Sequence, residues 1–106
     1  MAELSLDNVK TFLEKEGDWT IRLLNKNLPS PKKYIFGLLR FDGNKNTWTV
    51  RFLQQNRTVN YENDRKSFLE AKQLLIEEIP TYLRNGYNIT VLVSGYEIPP
   101  WLQRKR

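Results

Sequence analysis

The spacing of hydrophobic residues changes period several times along the 106 residues, and each change predicts an element. Leu6, Val9, Phe12 and Leu13 recur at three- and four-residue intervals, which places them on one helix face. Ser5 precedes them as an N-cap, Asp7 suits the first turn, and Gly17 suits the position just past the last one. From Trp19 the period drops to two. Trp19, Ile21 and Leu23 alternate with Thr20, Arg22 and Leu24, as on a strand with one buried face.

Leu28-Pro29-Ser30-Pro31-Lys32-Lys33 interrupts the pattern, because its two prolines cannot donate to a sheet ladder. A second strand is predicted from Tyr34 to Phe41; its pattern fits either facing, and with Ile35, Leu39 and Phe41 inward it sets Tyr34, Phe36, Leu38 and Arg40 outward. Asp42-Gly43-Asn44-Lys45-Asn46 is a turn that folds it back on a third strand, Thr47 to Leu53. That strand sets Trp48, Val50 and Phe52 on one face and Thr47, Thr49 and Arg51 on the other. Gln54-Gln55-Asn56 leads into a short fourth strand over Arg57–Tyr61.

Helical spacing returns from about Asp64 to Asn85, with Asn63 as N-cap and a stripe of Phe68, Ala71, Leu75, Ile79 and Tyr82. Pro80 lies inside this span and removes the hydrogen bond to the Ile76 carbonyl, which predicts a kink or an early end. Asn85-Gly86 closes the helix. Tyr87 to Val93 is rich in β-branched residues and predicts a last strand, central or well covered. The order α-β-β-β-β-α-β describes an α+β fold: an antiparallel sheet of four to five strands with a long helix packed on one face. Residues 1–96 are expected to form this single domain. Residues 97–106 form a tail in which Pro99 and Pro100 favour an extended backbone ahead of Trp101, Leu102, Arg104, Lys105 and Arg106.

Composition narrows the chemistry. There is no cysteine and no histidine, which removes disulfides, thiolate or imidazole metal sites, thiol nucleophiles and histidine-based triads. Glu77-Glu78 is the one adjacent pair of carboxylates, and neighbours on a helix point about 100° apart. The five glycines are scattered, so no phosphate-cradling loop is visible. These features predict no catalytic residues, no metal and no cofactor, and hence a non-enzymatic protein. The polar N-terminus is unlike a signal peptide, and no apolar run approaches the roughly 20 residues of a membrane span. A soluble, cytoplasmic protein with no membrane contact is the expectation.

Charge supplies the functional clue. Residues 1–31 carry four basic and five acidic side chains, and residues 62–106 carry seven and six. Residues 32–61 carry six basic side chains (Lys32, Lys33, Arg40, Lys45, Arg51 and Arg57) against Asp42 alone. The net charge of +5 therefore resides in the predicted sheet, interleaved with aromatic residues. Cations meet phosphates and rings stack on bases, so this pattern suits nucleic acid or a nucleoprotein complex. The predicted contacts are Arg22, Lys32, Lys33, Arg40, Lys45, Arg51 and Arg57 for phosphate and Phe36 for stacking, with little base specificity. Two arrangements remain open at this stage: the first helix covers Phe36 and Leu38, or it leaves that face bare. The competing class is a protein-interaction module, a small inhibitor or accessory subunit. It would dock an acidic partner surface through a sheet edge and the tail, with Trp101 and Leu102 as anchors and Arg104, Lys105 and Arg106 as cations.

Overall fold

The elements follow the predicted order, and the sheet has five strands. The structure, a computed structural model, describes residues 5–94. Helix α1 (Leu6–Phe12) is followed by strands β1 (Trp19–Leu24), β2 (Tyr34–Asp42), β3 (Thr47–Gln54) and β4 (Val59–Arg65). Helix α2 (Phe68–Arg84) and strand β5 (Asn88–Ser94) complete it. Every neighbouring pair is antiparallel, in the order β4-β3-β2-β1-β5. The first four strands form a meander. Helix α2 then carries the chain back from the β4 edge to the β1 edge, where β5 pairs.

Both helices pack on the same side of this sheet. Val9 and Leu13 from α1 and Phe68, Ala71, Leu75 and Ile79 from α2 share one core with Trp19, Ile21, Leu23, Ile35, Leu39, Trp48, Val50 and Phe52. Val9 and Leu13 of the α1 stripe thus pack into the core on the inner sheet face, so α1 lies on the side of the sheet away from Phe36 and Leu38. Aromatic rings tie the layers together: Trp48 meets Phe68 edge-on at 5.2 Å, and Phe52 stacks on Tyr82 at 5.0 Å.

Several boundaries differ from expectation. Strand β4 runs on through Asn63, Asp64 and Arg65, residues of poor strand propensity, because cross-strand partners on β3 hold them: Thr49 opposes Asp64 and Arg51 opposes Glu62. Helix α2 accordingly starts later, with Ser67 rather than Asn63 as N-cap; the Ser67 hydroxyl accepts the Glu70 amide at 3.1 Å. Pro80 lies inside α2 without ending it, since Leu75, Ile76 and Ile79 around it are buried against the core. Helix α1 ends at Phe12, short of Gly17, and the Lys15 carbonyl instead accepts the Trp19 indole N–H at 3.0 Å.

Strand β5 is an edge strand, not a central one. A register shift splits its β-branched residues between the two faces: Ile89, opposite Leu23, is buried on the helix side, while Val91 and Val93, opposite Arg22 and Thr20, lie on the other face, partly buried and exposed. Phe41 does face the helix side, opposite Trp48, but at the end of the β2–β3 hairpin it is 43% exposed, resting on Trp48 at 5.2 Å. Among the described residues no helix is long and apolar enough to cross a membrane.

Candidate functional site

Strand register sorts the predicted basic residues, because directly opposed residues share a face. Arg22 opposes Phe36, Leu38 opposes both Thr20 and Arg51, and Arg40 opposes Thr49. Arg22, Arg40 and Arg51 therefore share the sheet face turned away from the helices, the register settling the facing of β2 that its alternation left open. Arg40 and Arg51 are diagonal neighbours, with roughly 7–8 Å between their backbones in a regular sheet. Together with Thr49 and Asn44 they line a shallow cleft of about 370 Å³ at the β2–β3 hairpin.

This face is less basic than the sequence window suggested. Extending the window from residue 61 to the true end of β4 at residue 65 adds Arg65 but also Glu62 and Asp64. Both acids stand opposite β3. Arg51 Nη2 donates to Glu62 at 2.7 Å, and Lys45 Nζ reaches Asp64 at 3.5 Å. Arg22 leans over the Tyr34 ring, 5.1 Å from its centroid, and its Nε donates to the Thr90 hydroxyl at 3.1 Å. The face is also closed at its centre: Thr20, Phe36, Leu38 and Thr49 are buried, Phe36 to 1% exposure. A ring so covered presents no open surface to a base, so a base can stack on Phe36 only after a rearrangement.

The acidity of Asp64 responds to this face. The Thr49 hydroxyl donates to it at 2.8 Å, and that bond, reinforced by Lys45 and then by the charge of Arg51, holds its pKa below the ordinary carboxylate value against an opposing effect of burial. A depressed pKa means that the folded state binds this proton less readily than the unfolded chain. The resulting stabilisation is present above the unfolded value, about 3.9, and is lost as pH falls through the lower folded value. Thr49→Val removes the donor at nearly constant volume. We expect the Asp64 titration, followed by NMR of its carboxyl carbon, to move up toward the ordinary value in this variant. An unmutated Asp64 that titrates at the ordinary value would rule out the interaction.

Lys32, Lys33 and Arg57 do not join the arginines. They sit at the end of the sheet where the β1–β2 loop and the β3–β4 turn meet, and Lys45 sits at the opposite end, in the β2–β3 turn. The sequence reading missed Lys26, in the same loop as Lys32, and Arg84, at the end of α2. Counting charge in contiguous windows separates these residues, and strand direction brings them to one end. Trp101, Leu102, Arg104, Lys105 and Arg106, with the proposed boundary at residue 97, lie outside the described residues. Among the described residues no group of three or more carboxylates is placed to hold a metal ion. Compared with known proteins, the chain matches no family model, no curated protein and no solved structure.

Proposed function

We propose that this chain is a small non-enzymatic binding protein whose partner is nucleic acid, alone or within a nucleoprotein complex. The observation that carries the reading is how little of the positive charge is held in ion pairs among the described residues. The described residues contain two ion pairs, which engage Lys45 and Arg51, while Lys26, Lys32, Lys33, Arg57 and Arg84 make none. Lysines and arginines held at a surface without acidic partners release counterions when they meet phosphates, which favours association at low salt. Polar neighbours that contact phosphate and sugar carry no base identity, so the binding is expected to be weakly sequence-selective.

Fluorescence anisotropy with a labelled single-stranded homopolymer tests this. Binding should be measurable at low salt, with log K falling linearly against log salt. No binding at low salt would remove the proposal. It would favour the second reading, a protein-interaction module, for which the supporting observation is a pair of sheet edges, β4 and β5, with Val59 48% and Val93 36% exposed.

A further inference from the structure

Strand direction gathers three connections at one end of the sheet: the β1–β2 loop (residues 25–33), the β3–β4 turn (residues 55–58) and the α2–β5 turn taken with the last residue of α2 (residues 84–87). Hydrogen bonds between them form one continuous edge. The Gln55 amide donates to the Pro31 carbonyl at 3.1 Å, and the Ser30 hydroxyl donates to the Gln55 side-chain oxygen at 3.0 Å. The Tyr87 hydroxyl donates to the Lys32 carbonyl, and the buried Asn25 side chain donates to the Asn85 carbonyl at 3.0 Å. Gly86, at φ +96°, lies so close over Asn25 that a Cβ there would stand 3.0 Å from its Nδ2.

These three connections contain five basic residues, Lys26, Lys32, Lys33, Arg57 and Arg84, and no acid. Four of the five are exposed and Lys33 is half-buried. Among the described residues the opposite end carries both signs: Glu14, Glu16, Asp18, Asp42 and Asp64 stand with Lys15, Lys45, Arg65 and Lys66. The end of α2 brings the negative pole of its dipole to the basic edge, but its carbonyls are engaged. Those of Thr81, Tyr82, Leu83 and Asn85 accept bonds from Asn85, Tyr87, Gly86 and Asn25.

We infer that this acid-free edge is a docking site for the sugar-phosphate backbone of nucleic acid, and that the arginine-bearing sheet face is not. The inference rests on the binding function proposed above and fixes where that binding occurs. The connections that carry the cations follow one another across the sheet, β3–β4, then β1–β2, then α2–β5. With about 4.8 Å between strands, five strands span roughly 19 Å, which is long enough to meet more than one phosphate of a single strand. Asn27, Asn56 and Thr58, all exposed on the same connections, are of the neutral hydrogen-bonding type that contacts phosphate and sugar. On the sheet face, by contrast, Arg51 is already held by Glu62 and Phe36 is covered.

The test compares two triple variants of the full chain against a labelled oligothymidylate. K32Q/K33Q/R57Q removes three cations from the edge, and R22Q/R40Q/R51Q removes three from the face. Thermal melts establish that each variant is folded. The unmutated protein is expected to show a salt slope of about −3.5 if all five edge cations contact phosphate, at about −0.7 per contact. The edge variant should lose about 2 of that slope and most of its low-salt affinity, while the face variant retains both. Should the face variant fail to fold, chemical-shift mapping of the unmutated protein with the same oligonucleotide decides, with perturbation confined to residues 25–33, 55–58 and 84–87 expected. Loss in the face variant with an intact edge variant would overturn the site while leaving the binding function standing. Displacement of the oligonucleotide by poly-glutamate at equal charge would show a surface that reads charge alone, and would overturn the assignment to nucleic acid. Absence of any binding would overturn both the site and the function.

Discussion

Replacing Phe52 by alanine is expected to cost roughly 3–5 kcal/mol of folding stability, the range for truncating a fully buried aromatic residue. The ring is 0% exposed at the centre of β3 and belongs to both layers of the protein. It stacks on Tyr82 of α2 at 5.0 Å and meets Tyr61 of β4 edge-on at 6.2 Å. Truncation therefore removes the ring's own transfer free energy and also leaves a cavity between elements that cannot all close in to fill it. Urea unfolding at equilibrium measures the loss. A change under about 1 kcal/mol would mean that α2 does not pack across β3 as described.

Gly37→Ala is expected to destabilise the fold by roughly 1–3 kcal/mol, an unusual cost for adding one methyl group to a strand. Gly37 lies in β2 between Ile21 of β1 and Phe52 of β3. A Cβ there would stand 2.6 Å from Ile21 Cγ2 and 2.9 Å from Phe52 Cε2, well inside van der Waals contact. Alanine has better strand propensity than glycine, so without this crowding the substitution would be stabilising. A double-mutant cycle isolates the cause. Ile21→Ala removes Cγ2, so the cost of Gly37→Ala should be smaller in that background than alone. Strict additivity would show that the overlap with Ile21 is not what makes alanine unfavourable.

Some of the fold was legible because its signals are local. The alternation of Trp48, Val50 and Phe52 against Thr47, Thr49 and Arg51 reports the two sides of β3 without any knowledge of its neighbours, and the turn at Asp42–Asn46 is written in glycine and asparagine. Where local and tertiary preferences conflicted, the sequence misled. Asn63, Asp64 and Arg65 have turn or helix character in isolation, yet β3 recruits them through the Thr49–Asp64 hydrogen bond and the neighbouring Arg51–Glu62 ion pair. The Ser67-x-x-Glu70 spacing was a helix-start signal available in the sequence, and it marked the true boundary of α2. Pro80 fared similarly. The lost hydrogen bond is a local cost, and the buried stripe around it is a tertiary gain that outweighs it.

The candidate site divides along the same line. By itself, the sequence determined that positive charge is concentrated in the middle of the chain, that Arg22 and Arg51 each lie on the polar side of an alternating strand, and that residues of the histidine and cysteine type are absent. Side-chain direction on a strand follows from backbone geometry alone, so such facts need no fold. The tertiary structure decided which charges meet. It set Glu62 beside Arg51 and Asp64 beside Lys45, and it covered Phe36. It also carried Lys26, Lys32, Lys33, Arg57 and Arg84 to one edge. Electrostatic interaction depends on distance in space, and in a meander that distance is set by the direction in which each strand runs and by which connections share an end. Neither can be counted along the chain.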